Sequence, residues 1–384
     1  MKPELPLFAL FRNNFLPLSE TFIHDELRFH ERYRGVVFAR RHINGHIFSG
    51  HEVHSADTHG KGGMLLYGAT ALYPPFFKEF RHRKFVLVHA HFGHNGLYAL
   101  PYAQVFRLPL VITVHGRDVT ILVGSDRFLP EFWHYSLASK TLFSRATLIL
   151  AASTELAELL IEVGCPEDKI RIHRLGIDLN NFSFREHEPD GPLQVVMVGR
   201  LVPKKGFHFG IRAFAGALQS NCNAHLRIIG DGPQRLQLEK LVQDLGIASH
   251  VTFAGALPHT EVCKAMQQST ILLAPSITAS NMDRESGLIV AKEAAAVGLP
   301  VIAHWHGGLP DIVEDGHTGF LVPERDVTRM TQRLITLLRN VNMRRAFGRA
   351  AREKMEREYD IRKVNMRLES LYDEAIVLWN KQRT

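Results

Sequence analysis

Two glutamates, Glu285 and Glu293, lie eight residues apart in a segment whose composition suits ligand binding. Ser286, Gly287 and Leu288 follow the first glutamate and lead into an apolar run. If the whole segment is helical, a rise of about 1.5 Å per residue places the carboxylates roughly 12 Å apart on broadly one side. Amides at a helix start suit phosphate, and we expect a carboxylate one or two turns later to suit sugar hydroxyls. The pattern predicts a nucleotide-sugar site.

The same two glutamates could instead be a catalytic acid–base pair. Carboxyl pairs of glycoside hydrolases lie about 5–9.5 Å apart, which is less than the separation expected here, so hydrolysis is the weaker alternative. Glu293 alone is also typical of an ordinary helix-face glutamate. It precedes three alanines, at 294–296, which indicate close packing against a sheet. A charge there needs a partner, and ribose hydroxyls would provide one.

Arg200 and Lys205 lie five residues apart in a loop flanked by Gly199 and Gly206. Arginine offers a rigid fork and lysine a point charge, so together they could bind one diphosphate. Two solvated loop cations are the alternative. The preceding apolar run, at 193–198, predicts that the loop follows a strand.

Two further motifs follow predicted strands. His115 begins a short polar loop, where it either contacts a bound group or caps the strand end, and both interpretations remain open. Gly230 and Gly232 begin a glycine pattern, but Arg235 occupies the place of the third glycine in a dinucleotide fingerprint. That departure counts against an NAD-dependent enzyme.

Short apolar runs alternate with helical segments along most of the chain, which predicts βαβ units in an α/β fold. Strands are predicted at residues 5–10, 85–88, 110–114, 148–150, 193–198, 226–229, 251–253, 271–274 and 301–303. Helices are predicted at residues 95–106, 130–143, 259–268 and 327–380. Ser19 is expected as the N-cap of an earlier helix, and Pro233 as the first residue of a later one.

The polar segment at 185–192, REHEPDGP, is typical of an interdomain linker. We therefore expect two doubly wound, Rossmann-like domains that face each other across a ligand-binding cleft. The predicted domains are residues 1–187 and 188–365. Residues 366–384 are expected to form a helix that returns to the first domain.

Composition limits the remaining choices. The chain has 384 residues, a net charge of +7 and three cysteines without metal spacing, which indicates a multidomain protein in a reducing cytoplasm. No apolar run reaches the roughly 18 residues of a membrane span. Basic residues cluster at 28–42 and 81–84, and could attract anionic lipid or phosphorylated substrates, although a solvated face is the simpler interpretation. The histidine-rich segment at 42–59 is interpreted as a loop without a metal.

At this point several motifs resemble those of the retaining GT-B glycosyltransferases, and more narrowly the family-four group. They are the two glutamates with their spacing, and the segments at 176–182, 198–206, 298–302, 307–313 and 319–322. The segments at 17–23, PLSETFI, and 89–93, HAHFG, are similar to exopolysaccharide transferases of the colanic-acid and amylovoran type. The resemblance spans nearly the whole chain.

The resemblance implies a role for each matching residue. Arg200 and Lys205 would neutralise the donor diphosphate as it leaves, and Gly199 and Gly230 would bind the donor. The donor sugar would be contacted by His115, Glu285, Ser286, Gly287 and Leu288. Glu293 would bind the ribose, and Ser19 would border the phosphates or the acceptor. One glycine of the family's E-G-F-G-L motif is missing after Glu285, and Asp311 replaces its usual glutamate.

The implied reaction transfers a sugar from a nucleoside-diphosphate donor to a glycan or a polyprenyl-diphosphate-linked glycan, with retained configuration and without a metal or other cofactor. Apolar residues at 64–67 and 73–77, beside the basic clusters, suggest contact with the inner face of the cytoplasmic membrane, although core packing would also explain them. No nucleic-acid partner is expected. The alternatives are a GT-B nucleotide-sugar epimerase and a non-catalytic basic binding protein.

Overall fold

The computed structural model describes residues 4–17, 20–186 and 193–383, which form two compact units. The first unit comprises Met1–Gly176 and Ile361–Thr384, and the second comprises Ile177–Asp360. The chain thus joins the second unit earlier than the predicted boundary at 187/188, because Ile177, Leu179 and Phe182 are buried in that unit's core. It returns to the first unit at Ile361, slightly before the predicted 365/366.

The first unit is built on a seven-stranded sheet with the order β3-β2-β1-β4-β5-β6-β7. All of its pairings are parallel. The strands are β1 (Leu7–Phe15), β2 (Arg34–His42), β3 (Glu52–Ser55), β4 (Phe85–His91), β5 (Leu110–Val114), β6 (Leu148–Ala151) and β7 (Ile170–Ile172). The helices between them are α1 (Thr21–Arg28), α2 (Gly60–Thr70), α3 (Pro74–His82), α4 (Gly93–Val105), α5 (Arg117–Val123), α6 (Trp133–Arg145) and α7 (Thr154–Glu162).

Apolar clusters cover both faces of this sheet. In β1, Ala9 and Phe11 belong to one cluster, while Phe8 and Leu10 belong to the other. A parallel strand covered on both faces reads as a continuous apolar run, because successive side chains point to opposite faces and both faces are dry. This is why β1, β4 and β5 were visible in the sequence.

The second unit has a six-stranded parallel sheet with the order β10-β9-β8-β11-β12-β13. Its strands are β8 (Leu193–Val198), β9 (Ala224–Ile229), β10 (Val251–Gly255), β11 (Ile271–Ala274), β12 (Val301–His304) and β13 (Gly319–Val322). Its helices are α8 (Phe207–Gln219), α9 (Arg235–Asp244), α10 (His259–Gln267), α11 (Ile289–Ala296), α12 (Leu309–Ile312), α13 (Val327–Arg339) and α14 (Val341–Lys354). The α/β prediction of two doubly wound, Rossmann-like units is confirmed.

A π-helical turn, Met355–Tyr359, follows α14, and the chain then enters α15 (Ile361–Lys381). Leu368, Tyr372 and Ala375 of α15 are buried in the core of the first unit, beside β1 and β4. The C-terminal helix therefore belongs to the first unit, as the sequence predicted. None of the described helices combines the length and apolar character required to cross a bilayer.

Two local predictions were wrong. The histidine-rich segment at 42–59 contains β3 rather than being a loop throughout. Pro233 does not begin a helix, because α9 begins at Arg235 with Gln234 as its N-cap. The helix α1 begins after Glu20, and the predicted N-cap Ser19 lies outside the described residues.

Candidate functional site

The strand order of the second unit reverses between β8 and β11, which are hydrogen-bonded neighbours. At such a reversal the loops beyond the carboxyl ends diverge and leave a crevice in which open α/β sheets bind ligands. The loop after β8 carries Gly199, Arg200 and Lys205, and the loop after β11 carries Glu285. The topology thus brings the two predicted ligand-binding segments to one edge.

Two glycines, Gly206 and Gly230, allow the loops at this edge to approach each other. Gly230 has φ +134°, and a Cβ there would fall 1.9 Å from the carbonyl oxygen of Gly199. Gly206 has φ +61°, and a Cβ there would fall 1.9 Å from the carbonyl oxygen of Pro275. Residues with a side chain cannot occupy either place without moving the backbone. The loops after β8, β9 and β11 therefore approach each other closely.

Glu285 forms ion pairs with two lysines of the β8 loop. Its Oε2 lies 3.1 Å from Nζ of Lys205, and its Oε1 lies 3.4 Å from Nζ of Lys204. Lys204 also lies 3.2 Å from Asp283. Burial would raise the pKa of Glu285, but the two lysines outweigh burial and lower this pKa to about 2. Glu285 is therefore an ionised acceptor at neutral pH.

One oxygen of Glu285 retains hydrogen-bonding capacity. Oε1 is buried and accepts no hydrogen bond from the described residues, although Lys204 lies near it as an ion partner. A buried carboxylate oxygen normally accepts hydrogen bonds, and leaving it without one is costly. A ligand hydroxyl could supply the missing donor.

The backbone around Glu285 is held by the segment after β12. The amide of Glu285 donates to Nε2 of His306 at 3.1 Å, and the carbonyl of Glu285 accepts from the amide of Gly308 at 2.9 Å. Ser286 and Gly287 lie in the same loop, and Leu288 is the N-cap of α11. Because α11 begins only at Ile289, the estimate of roughly 12 Å between the two glutamates, which assumed a continuous helix, does not apply.

Glu293 lies on α11 and is buried, with its Oε1 2.7 Å from Nε2 of His259. His259 begins α10, and its ring nitrogens lie 3.8 and 4.0 Å from Sγ of Cys263. Hydrogen bonds with Cys263 and with Glu293 raise the pKa of His259. The sequence predicted that the charge of Glu293, on an alanine-rich helix, would need a partner. In the structure that partner is the imidazolium of His259.

In the first unit, His115 follows β5, and its Nε2 lies 3.0 Å from Nδ1 of His91. Nε2 of His91 in turn lies 3.0 Å from Oε1 of Glu26. Burial, and then the neighbouring His91, lowers the pKa of His115, so its imidazole is neutral at neutral pH. A buried carboxylate–histidine–histidine chain therefore fixes the orientation of the predicted sugar-contacting histidine.

Glu26, His89 and His91 form the one group of potential metal ligands among the described residues, with ligating atoms within 4.8 Å of one another. Both ring nitrogens of His89 already have partners, the hydroxyls of Tyr372 at 2.8 Å and Thr113 at 2.7 Å. His91 is likewise bonded at both nitrogens. A cation would have to break these hydrogen bonds, so the group is better described as a polar network of the core.

The predicted site residues are thus distributed as follows. Gly199, Lys205, Gly230, Glu285 and the residues up to Leu288 meet at one edge of the second unit, whereas Arg200 is exposed and makes no side-chain hydrogen bond or ion pair within the described part of the chain. Ser19 lies outside the described residues. Sequence reasoning missed Lys204, Asp283, His259 and Glu324. The sequence shows Lys204 next to Lys205, but nothing in it indicates that Lys204 contacts Glu285 and Asp283.

Comparison with known proteins supplies the family. The profile described as Glycosyltransferase Family 4 matches residues 28–181, and the profile described as Glycosyl transferases group 1 matches residues 179–354. The chain is 32% identical over 286 residues to the putative colanic acid biosynthesis glycosyltransferase WcaL of Escherichia coli, an alignment that covers 73% of this chain and 69% of that one. It is 31% identical to the amylovoran biosynthesis glycosyltransferase AmsK of Erwinia amylovora, over 70% of this chain and 65% of the other.

The fold has solved counterparts. The structure of HepE from Anabaena in complex with UDP superposes with a TM-score of 0.75 at 18% identity, covering 96% of this chain and 100% of the other. The resemblance inferred from the motifs is thereby confirmed, both for the group that contains the colanic-acid and amylovoran transferases and for the architecture. The chain is a glycosyltransferase of the GT-B fold and belongs to family four.

Proposed function

We propose that this protein transfers a sugar, with retained anomeric configuration, from a nucleoside-diphosphate donor to a hydroxyl of a glycan or lipid-linked glycan during surface polysaccharide biosynthesis. The names of WcaL and AmsK support the pathway class, and structures of HepE with UDP and with UDP-glucose support the donor class. The observation that carries the proposal is the contact of Glu285 with two lysines at the β8–β11 reversal.

Lys205 is proposed to bind the diphosphate. In the free protein its charge faces Glu285, and a bound diphosphate would place a second anion within its reach. As the glycosidic bond breaks, negative charge develops on the β-phosphate, and a lysine already held in place stabilises that charge without reorganising. Arg200, exposed in the same loop, is proposed as a second phosphate ligand.

Glu285 is proposed to hold the donor sugar rather than to exchange protons with it. Its lowered pKa keeps it ionised, so it cannot act as a general acid near neutral pH. Its buried Oε1 can accept a hydrogen bond from a sugar hydroxyl. Glu293 is proposed to accept hydrogen bonds from the ribose, and the amides from Ser286 to Leu288 are proposed to face the donor.

The transfer is proposed to need neither a metal nor another cofactor. Retention is attributed to attack on the face from which the diphosphate leaves, assisted by the donor's own phosphate. The carboxylate nearest the proposed diphosphate site, Glu285, is engaged by Lys204 and Lys205, which disfavours its use as a nucleophile. His115, oriented by His91, is proposed to contact the transferred sugar.

The test is sugar transfer by the Lys205→Ala variant. A panel of UDP-, GDP- and ADP-sugars first identifies the donor that raises the unfolding temperature of the wild-type protein, because a ligand that binds only the folded state stabilises it. Lys205→Ala is then expected to lower kcat/KM by about 10²–10³-fold, the loss typical of one preorganised charge-stabilising group.

Lys240→Ala is the matched control, because Lys240 is an exposed lysine of α9 in the same unit. Near-normal kcat/KM for Lys205→Ala would contradict the diphosphate role. Product that forms equally well without an acceptor would contradict transfer and favour the epimerase alternative.

A membrane contact is proposed for α2 in the first unit. Leu65 and Leu66 are 66% and 45% exposed, and Leu72 just beyond the helix is 47% exposed. Tyr67, Tyr73 and Phe76 are buried and Phe77 packs against the same core, so the core-packing alternative holds for those residues but not for the exposed leucines. The exposed leucines suit insertion among lipid head groups.

Replacing Leu65 and Leu66 by serine tests this contact. Sedimentation with anionic liposomes at low salt is expected to retain the wild-type protein and to lose the double variant. If the wild-type protein does not sediment with the liposomes, the membrane proposal fails.

A further inference from the structure

His306 is a buried histidine whose ring bridges a carboxylate and a backbone amide. Its Nδ1 lies 2.6 Å from Oε1 of Glu324, and its Nε2 lies 3.1 Å from the backbone nitrogen of Glu285. Only 1% of the His306 side chain is exposed. The proposed function gives this histidine no role, although it touches the residue that is proposed to hold the sugar.

The two partners determine where the proton of His306 lies. Glu324 is ionised, since hydrogen bonds from His306 and Thr278 outweigh burial and lower its pKa, and an ionised carboxylate can only accept. A backbone amide can only donate. The ring therefore carries its proton on Nδ1 and presents a lone pair on Nε2, which is the neutral tautomer.

Glu324 is itself fixed in position. Its two oxygens accept from the amide of Thr278 at 3.1 Å and from the hydroxyl of Thr278 at 2.9 Å. Thr278 belongs to the segment after β11 that leads to Glu285, and Glu324 follows β13. The chain from Glu324 through His306 thus ties the Glu285 loop to the ends of β12 and β13.

Glu285 is consequently held at three points. His306 accepts from its amide, Gly308 donates to its carbonyl, and Lys204 and Lys205 pair with its carboxylate. A bound diphosphate would also pair with the two lysines and so compete with Glu285 for them. The backbone contacts of Glu285 with His306 and Gly308 do not involve the diphosphate, so they can maintain the position of Glu285 when the donor arrives.

We propose that His306, oriented by Glu324, is a positioning residue that presets Glu285 for the sugar of the donor. This inference rests on the proposed function, since it deepens the role assigned to Glu285. It makes a specific prediction about ligands. Loss of the Nε2 acceptor weakens binding of the nucleotide sugar, whereas binding of the free nucleoside diphosphate, which depends on Lys205 and Glu293, is unchanged.

The experiment compares calorimetric binding of UDP-glucose and UDP, or of the best donor pair from the panel, to the wild-type protein and to His306→Leu and His306→Gln. His306→Leu is expected to weaken nucleotide-sugar binding about tenfold, which corresponds to the loss of about one hydrogen bond. His306→Gln, whose amide oxygen can take the place of Nε2, is expected to restore most of that loss. UDP affinity is expected to stay the same in all three proteins.

His304→Leu is the matched control, because His304 is also buried but its Nδ1 contacts the carbonyl of Ser276 rather than Glu285. It is expected to alter stability without separating the sugar from the nucleotide. Equal weakening of UDP and nucleotide sugar by His306→Leu would mean a purely structural role and would overturn the inference, as would failure of His306→Gln to recover binding.

A nitrogen NMR spectrum of the histidine rings tests the tautomer without any ligand. Nδ1 of His306 is expected to carry the proton in the wild-type protein, and a protonated Nε2 would overturn the inference. If the wild-type protein binds no nucleotide sugar, the proposed function fails, while this spectrum still decides whether the Glu324–His306–Glu285 chain exists.

Discussion

At the scale of single residues, each of the two glutamates found from their spacing has a basic partner that the spacing could not reveal. Glu285 is paired with Lys204 and Lys205, and Glu293 with His259. Lys204 and its other partner, Asp283, are 79 residues apart in the chain and meet because β8 and β11 are neighbours. Residue types could be predicted from the sequence, but contacts created by strand order could not.

The pairing of Glu293 with His259 gives a test of the proposed ribose contact. Since Cys263 and Glu293 raise the pKa of His259, its ring is expected to remain protonated above its ordinary value of 6.5 in the free protein. If ribose hydroxyls bind Glu293, they compete for the carboxylate. Saturating UDP is then expected to lower the pKa of His259, which an NMR titration with and without UDP measures.

His225 is the internal control for that titration. It contacts Thr252 in the same unit, and burial followed by His250 lowers its pKa. UDP is expected to leave the titration of His225 unchanged. If UDP binds and the titration of His259 is also unchanged, Glu293 does not contact the ribose.

At the scale of elements, strands with a continuous apolar run were predicted well, whereas the polar edge strand β3 and the charge-flanked strand β2 were missed. The predicted bounds of β5, β8 and β11 agree with the structure because these strands are central and continuously apolar. The edge strand β3, Glu52–Ser55, has a single buried residue and no apolar run. In β2, four buried residues are flanked by arginines, so the charged residues obscured this nine-residue strand.

Two loop glycines, Gly206 and Gly246, allow a prediction about how closely the loops after β8 and β11 approach each other. Gly206 and Gly246 have similar backbone angles, φ +61° and φ +68°, but a Cβ on Gly206 would fall 1.9 Å from the carbonyl oxygen of Pro275, whereas nothing lies within 4 Å at Gly246. Gly246→Ala is expected to lower the free energy of unfolding by about 1 kcal/mol, the usual cost of a left-handed residue. Gly206→Ala is expected to lower it by about 3 kcal/mol, since overpacking is added.

Urea unfolding of both variants measures the difference. Because both glycines have a similar positive φ, the excess cost at Gly206 reports the close approach of the loops after β8 and β11. Equal costs at the two positions would mean that these loops can separate freely, and the described geometry of the loop after β8 would then be wrong.

At the scale of the whole molecule, the chain forms the second unit between two parts of the first. The first unit is completed only when α15 adds Leu368, Tyr372 and Ala375 to its core. The polar segment at 185–192, predicted as the linker, lies mostly outside the described residues, but apolar residues from Ile177 onward already belong to the core of the second unit. Polar composition predicts a linker, whereas burial decides to which unit a residue belongs.

Glu369 anchors α15 in this arrangement and yields a prediction about stability and pH. Its Oε1 accepts from the amides of Glu31 and Arg32 at 2.8 Å each and lies 3.2 Å from Nδ1 of His30. Burial would raise the pKa of Glu369, but the hydrogen bonds with His30 and with those amides lower it to about 2. Because the folded state holds the ionised form, the stabilisation is fully present above the ordinary pKa of 4.5 and is lost as the pH falls towards 2.

Glu369→Gln is therefore expected to lower the free energy of unfolding by about 2 kcal/mol at pH 7, since it removes the charge from a buried set of hydrogen bonds. The deficit is expected to shrink between pH 4.5 and pH 3, because the carboxylate of the unfolded wild-type chain takes up a proton there while the folded protein keeps it ionised. Urea unfolding at pH 7, 5, 4 and 3 measures it, with Glu353→Gln, on the exposed face of α14, as the control. A deficit that stays constant across this range would show that the charge of Glu369 does not hold α15 against the first unit.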